Sequence, residues 1–415
     1  MRAEIITIGD ELLIGQVVDT NAAWIANKLN LLGIEIYKNT SISDKKRSIF
    51  KALKQVDTNT DIVFFTGGLG PTNDDITKKA LAEYFGVQLV MNKEVLENIK
   101  AFVDKRNADL NDRNIEQALV PENCSIIPNA IGTAPGMWFE DNGRIIISMP
   151  GVPFEMKEMM NTHIIEKLKN RHKDFFILHK IILTQGLPES KLAEILEKWE
   201  ENLPHELSLA YLPSPGIIKL RLSAKGKNRM LLEKIITKNV NELYQIIPDY
   251  ICGYDEDKLE VITGDLLKQH HFTVSVAESC TGGTIGQLIT SVSGSSAYFK
   301  GGVIAYSNEI KENILGVNKR NIEIYGAVSK QVVEEMALGI LKLFNTDFAV
   351  ATSGIAGPTG GTKDKPVGTT WIAVASKYTV ESGKFIFGDQ RDRNVQRASL
   401  TAINMLRKLI VSEKI

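Results

Sequence analysis

Cysteine is scarce in this chain of 415 residues: Cys124, Cys252 and Cys280 are the only three, and no two form a Cys-x-x-Cys pair. An odd, scattered set excludes a disulfide framework and a thiolate zinc cluster, and it predicts a reducing, cytoplasmic setting. Histidine is nearly as sparse. His163, His172, His179, His205, His270 and His271 all lie outside the glycine-rich stretches, so a Ser-His-Asp triad would depend on His270 or His271. Charge of one sign is lacking too: 49 basic residues against 50 acidic ones leave a formal net charge of -1. No global field draws in nucleic acid or an anionic membrane, and neither is expected as a partner. No apolar run reaches the roughly 20 residues of a membrane span, and the one after Met1 is too short for a signal peptide. What remains is 43% hydrophobic and 24% charged, the make-up of a globular protein long enough for two or three domains.

Three segments follow. Residues 1 to about 168 alternate strand-like runs (Glu4 to Ile8, Ile34 to Thr40, Asp61 to Thr66, Arg144 to Ser148) with helical ones (Asn21 to Leu32, Lys45 to Val56, Thr77 to Phe85, Lys93 to Val103). The alternation predicts a mainly parallel α/β sandwich. Residues 172–248 read as a small α+β module: a strand from Phe176 to Leu183, a helix capped by Ser190, and a hairpin about Pro213-Ser214-Pro215-Gly216. Residues 252–415 return to strand–helix alternation and predict a second α/β sandwich.

Polar residues gather where strands end. Gly9-Asp10-Glu11 closes the first strand, and Thr66-Gly67-Gly68-Leu69-Gly70-Pro71-Thr72-Asn73-Asp74-Asp75 closes the third. Ligands of open α/β sheets bind at such ends. Glycines admit a phosphate while the acidic side chains repel it, and a divalent cation between them reconciles the two. A helix capped by Asn73 or Asp74 is the plainer reading. In the third segment, Ala277-Glu278-Ser279-Cys280-Thr281-Gly282-Gly283 breaks from a strand into a helix, which suits an anion site or an exposed nucleophile. Ser279 and Cys280 are both candidates. With no histidine at hand, a serine needs another base, and a lysine neutralised by burial can serve. Lys311 follows Ala305-Tyr306-Ser307-Asn308. The loop Ser353-Gly354-Ile355-Ala356-Gly357-Pro358 is expected to turn backbone N–H groups toward a phosphate or oxyanion, with Lys365-Pro366-Val367-Gly368-Thr369 closing over it. Arg391, Arg393 and Arg397 offer guanidinium groups to a phosphate.

These motifs resemble the CinA (competence/damage-inducible protein A) family. The resemblance implies two α/β/α sandwiches flanking a KH-like module: a molybdopterin-binding-like domain (1–168), the module (172–248) and a nicotinamide-mononucleotide deamidase domain (252–415). No Gly-x-x-Gly loop, with which RNA-binding KH domains clamp backbone, occurs in the middle segment. In the deamidase domain, Ser279, Lys311 and Tyr306 are implied as catalytic residues. Thr281, Gly282, Gly283, Asn308, Ser353, Gly354, Ile355, Ala356, Gly357 and Arg391 would bind the mononucleotide. In the first domain Gly67, Gly68, Gly70, Thr72, Asn73 and Asp74 would hold ADP-ribose, with Asp10 and Asp75 on a divalent cation such as Mg²⁺ or Co²⁺. Asp74 stands where molybdopterin adenylyltransferases usually carry Arg, which favours ADP-ribose hydrolysis over molybdopterin chemistry. A homodimer is implied. The rival expectation is a non-catalytic nucleotide-binding scaffold.

Overall fold

The computed structural model describes residues 1–72, 75–107, 109–172 and 175–413. Asn73 and Asp74, and the expectations placed on them, lie outside these residues. The chain forms two compact units: residues 1–178 with 224–233, and residues 179–223 with 234–415.

In the first unit, β1 (Arg2–Ile8), β2 (Glu35–Ile42) and β3 (Ile62–Thr66) are joined by helices. A two-stranded ribbon, β4 (Leu89–Met91) with β5 (Leu119–Pro121), stands apart, and β6 (Ser125–Ile127), β7 (Gly136–Asp141) and β8 (Arg144–Met149) complete the main sheet. Its order is β2-β1-β3-β8-β7-β6. The first four strands run parallel; β7 and β6 are antiparallel additions that the alternation pattern did not signal. Strands buried on both faces show continuous apolar runs rather than alternation. Neighbouring residues therefore serve opposite layers: Ile5, Phe64 and Ile147 pack with Ile25 and Leu29, while Ile6, Phe65 and Ile146 pack with Ile49, Leu53 and Leu81. The helix expected to be capped by Asn73 or Asp74 starts at Thr77, with Ile76 as N-cap and no side-chain cap.

The second unit holds two sheets. The smaller has the order β10-β11-β9-β12, formed by β9 (Phe176–Thr184), β10 (Leu207–Ser214), β11 (Ile217–Gly226) and β12 (Ile251–Tyr254). Pro213 and Ser214 belong to β10, so the turn is Pro215-Gly216 alone, with Gly216 at φ 84°. The helix Glu189–Glu201 starts from Pro188 as N-cap, and Ser190 sits inside it. The larger sheet has the order β14-β13-β15-β16-β17: β13 (Val274–Glu278), β14 (Phe299–Ile304), β15 (Phe348–Gly354), β16 (Thr369–Ser376) and β17 (Val380–Ile386). β14, β13 and β15 are parallel, and β16 and β17 are antiparallel to their neighbours. One face carries Val274, Val276, Val350 and Val374 against Leu267, Ile285 and Leu406. The other carries Ala277, Ala349, Ala351, Ala373 and Ala375 against the helix Lys330–Phe344. Small residues let that helix lie close to the sheet.

Middle module and C-terminal sandwich share one core, which is why they form one unit. Leu183 and Cys252 pack with Leu259 and Leu267, and Ile181 and Ile217 lean on the same cluster. The Cys252 thiol donates to the Leu183 carbonyl at 3.3 Å, and β12 pairs with β9. A chain of residues 252–415 therefore loses a strand partner and exposes apolar surface worth several kcal/mol at about 25 cal/mol per Å². It is expected to unfold at a urea midpoint clearly below that of residues 179–415; equal midpoints would show the shared core to be energetically idle.

Candidate active site

Three parallel strands set the main site. β14, β13 and β15 are neighbours, with Glu278 in register with Ile304 on one side and Thr352 on the other. The motifs that leave their carboxyl ends, 279–283, 305–311 and 353–358, are thereby delivered to one edge of the sheet. Their distant spacing in sequence vanishes there.

Lys311 lies in the short helix Asn308–Asn313, whose N-cap Ser307 accepts from the Ile310 N–H, and it is 2% exposed. Its Nζ stands 3.2 Å from Ser279 Oγ, 2.7 Å from the Ala305 carbonyl oxygen and 3.5 Å from that of Tyr306. No carboxylate is among these contacts, and burial holds the lysine below its ordinary pKa of 10.5. A neutral amine has two N–H donors and one lone pair. In that form the two carbonyls can take the donors, which leaves the lone pair for the Ser279 hydroxyl. This is the arrangement of nucleophile and base.

Cys280 is not the nucleophile this geometry favours. Its thiol is buried and burial pushes its pKa up to about 12, so the reactive thiolate is scarce at neutral pH. Its backbone N–H and that of Thr281 have no hydrogen-bond partner among the described residues. They follow Ser279 directly in the chain, and the N–H of the residue after the nucleophile is one that a nucleophile elbow uses for an oxyanion.

The helix start after the motif is not an open anion site, contrary to expectation. Glu278, 1% exposed at the end of β13, accepts from the N–H groups of Gly283 (2.9 Å), Ile285 (3.1 Å) and Gly286 (2.8 Å). The protein's own carboxylate occupies the positive end of the helix Thr284–Thr290. Thr281 is also spent internally, its hydroxyl 2.7 Å from that of buried Thr352. The Ser353 hydroxyl donates to the Ala327 carbonyl at 2.7 Å. Buried hydroxyls must pair, and these two pair within the fold.

The glycine-rich loop departs from expectation likewise. The Ile355 N–H donates to Thr369 O, and the carbonyls of Ala356 and Gly357 accept from Asn394 Nδ2 (3.0 Å) and Arg391 Nη1 (2.9 Å). The Ile355 amide is thus directed into the sheet, while two loop carbonyls face side chains of the last helix, Arg391–Ser412. Arg391 Nη2 also donates to the Tyr306 hydroxyl at 3.2 Å. Tyr306 is 63% exposed, while its carbonyl oxygen lies 3.5 Å from Lys311 Nζ. Arg397 donates to Phe387 O, and Lys365 to Tyr325 O at 2.7 Å. Arg391 is therefore the arginine joined to both the loop and Tyr306. Asn308 is exposed at the first turn of the lysine's helix. Asn394 and Glu278 were not singled out in the sequence: Asn394 lies in no recognisable pattern, and Glu278, although inside the 277–283 stretch, carries no local sign of the N–H groups it accepts from.

A cavity of about 370 Å³ opens at the carboxyl ends of β1, β3 and β8. Gly9, Glu11, Asp44, Gly67, Gly68, Leu69, Gly70, Pro71 and Asp75 line it with Gln117, Thr133, Ala134, Gly151, Val152 and Glu155. Gly67 has φ 115°, and a Cβ there would stand 2.3 Å from the Ile8 carbonyl oxygen. Asp75 accepts from both the N–H and the hydroxyl of Thr72. Asp10 is exposed at the start of the helix Asp10–Leu13 and does not line the cavity; its N–H donates to Asp44 Oδ2 at 2.9 Å. Glu11 and Asp44 stand where Asp10 was expected, since the helix turns successive residues by about 100°. Burial raises the Glu155 pKa even though Asn129 donates to its carboxylate.

Comparison with known proteins places this architecture. Residues 4–170 match the probable molybdopterin binding domain, 179–253 the damage-inducible protein CinA KH domain, and 256–410 the CinA C-terminal domain. Over 99% of both chains, the sequence is 47% identical to a CinA-like protein of Flavobacterium psychrophilum. The chain belongs to the CinA family. It is also 45% identical to a CinA-like protein of Cytophaga hutchinsonii, over 99% of each chain. With a putative competence-damage inducible protein of Caldicellulosiruptor saccharolyticus it shares 41% identity, over 99% of this chain and all of the other. Among the described residues of this CinA-family chain, no helix is long and apolar enough to cross a membrane.

Proposed function

We propose that this protein is a pyridine-nucleotide hydrolase whose C-terminal site is an amidohydrolase for nicotinamide mononucleotide. The pairing of buried Lys311 with Ser279 supports the reading most directly. Ser279 Oγ attacks the carboxamide carbon and its proton passes to Lys311. The N–H groups of Cys280 and Thr281 face the developing oxyanion. Lys311 returns the proton to the departing nitrogen, and ammonia leaves. Water then attacks the ester carbon, gives its proton to Lys311, and nicotinate mononucleotide leaves as Ser279 recovers its hydroxyl proton. Arg391 keeps guanidinium donors for the phosphate beyond those spent on Gly357 and Tyr306. Purified protein should release ammonia and nicotinate mononucleotide. Binding without ammonia would instead support the scaffold reading.

The N-terminal cavity fits a second hydrolysis, of ADP-ribose to AMP and ribose 5-phosphate. Among the described residues no three His, Cys, Asp or Glu form a ready cage for a metal ion. Hard oxygen donors from Glu11, Asp44, Asp75 and Glu155 nevertheless share the cavity with phosphate-sized glycine turns. That set fits a divalent cation held by one or two carboxylates together with diphosphate oxygens, as Mg²⁺ is commonly held. A bound cation would neutralise the diphosphate and ease addition of water to phosphorus. Asp75→Asn is expected to lower metal-dependent AMP production at least 100-fold and leave ammonia release unchanged. AMP production at the wild-type rate would remove Asp75 from the site.

A further inference from the structure

Gln117 ends the helix Asp112–Gln117 and lines the N-terminal cavity while being only 3% exposed. Among the described residues, neither its Oε1 nor its Nε2 has a hydrogen-bond partner. Leaving a buried amide unpaired at both ends is costly, and native structures rarely tolerate it without a ligand or water to complete it. The backbone around it is tied down. Lys78 Nζ donates to the carbonyls of Glu116 (2.8 Å) and Gln117 (3.3 Å), and Asn111 and Asn114 cap the other end of the helix reciprocally.

From this we infer that Gln117 is a specificity-determining residue whose enclosed, unpaired amide turns into the N-terminal cavity to pair with the edge of a planar heterocycle bound there. A carboxamide presents a donor and an acceptor side by side. A phosphate supplies only acceptors and would leave Oε1 unpaired; a metal ion would take Oε1 and leave Nε2 unpaired. The amidine edge of adenine or the lactam edge of a pterin satisfies both at once, because the amide can turn over to match either. The same cavity carries apolar groups of Leu69, Pro71, Ala134 and Val152, which suit the faces of a flat ring. The carboxylates lining it serve the phosphate end through a cation. This assignment deepens the ADP-ribose reading and rests on it for the choice of adenine.

The test compares AMP, ribose 5-phosphate and 6-carboxypterin by titration calorimetry on the full chain with Mg²⁺ present, using wild type, Gln117→Met and, as a second variant, Gln117→Leu. Wild type is expected to bind AMP more tightly than ribose 5-phosphate. Both variants are expected to lose at least about tenfold for AMP and nothing for ribose 5-phosphate, without a lower melting temperature, since an unpaired amide is removed. If the pterin is bound in place of AMP and the variants lose it, the role of Gln117 stands and the ADP-ribose reading falls. If AMP affinity is unchanged, or ribose 5-phosphate falls by the same factor, the edge-reading role is overturned while ADP-ribose hydrolysis is untouched. Binding of none of the three overturns both.

Discussion

Lys311→Met is expected to release ammonia from nicotinamide mononucleotide 10²- to 10⁴-fold more slowly than wild type, the usual loss with a general base. Methionine keeps the length and burial of the side chain and removes only the proton acceptor. Mononucleotide binding should survive, because Arg391 is held by Gly357 O and the Tyr306 hydroxyl independently of Lys311. Ser279→Ala should be as inactive, and the double variant little worse than either, since groups that act as one unit are not additive. Cys280→Ala should turn over at close to the wild-type rate. An inactive Cys280→Ala beside an active Ser279→Ala would overturn the assignment.

The same pair sets the pH dependence. Burial places the folded Lys311 pKa below its unfolded value, so between the two the unfolded chain binds more protons and stability rises with pH. Below the folded value the full cost of a buried ammonium is present. The fraction of neutral amine rises in the same direction, so kcat/KM should climb with pH along a limb whose apparent pKa lies below about 10.4. That limb should be absent from the residual rate of Lys311→Met.

Glu278→Ala is expected to have the largest effect on stability. It strips three backbone N–H groups of their acceptor at a nearly dry helix start. Hydrogen bonds to charged groups contribute about 1.5–3 kcal/mol each, and orphaned donors add a desolvation cost. Relaxation recovers part of this, which leaves a loss of about 3–5 kcal/mol and a fall in the C-terminal transition of roughly 10 °C by calorimetry. Because Ser279 is the next residue, activity should fall with it. Glu278→Gln should recover only part, since its amide nitrogen turns a donor toward donors. A melting temperature within 2 °C of wild type would show that water replaces the carboxylate at no cost.

Much of the architecture was legible from pattern. Strand and helix alternation marked both sandwiches to within a few residues, because apolar periodicity reports which faces are buried. Strands β6 and β7 escaped notice: β7 pairs antiparallel with β8 and β6 antiparallel with β7, a choice made by tertiary pairing. Two compact units where three segments were expected follow from Leu183, Ile217 and Cys252 joining the C-terminal core. Nothing local in those residues announces a shared core.

At the sites, the residue types that chemistry requires were readable by themselves: a serine at a strand-to-helix break, a lysine in place of histidine, glycines and acids at strand ends. Sequence determined which groups exist and which strand ends carry them. Tertiary structure decided their use, because each buried polar atom must find a partner in three dimensions. Thus Glu278, and no substrate anion, fills the helix start; Thr281 and Ser353 spend their hydroxyls inside the fold. Lys311 is buried among carbonyls and one hydroxyl, the surroundings that its proposed role as a base requires.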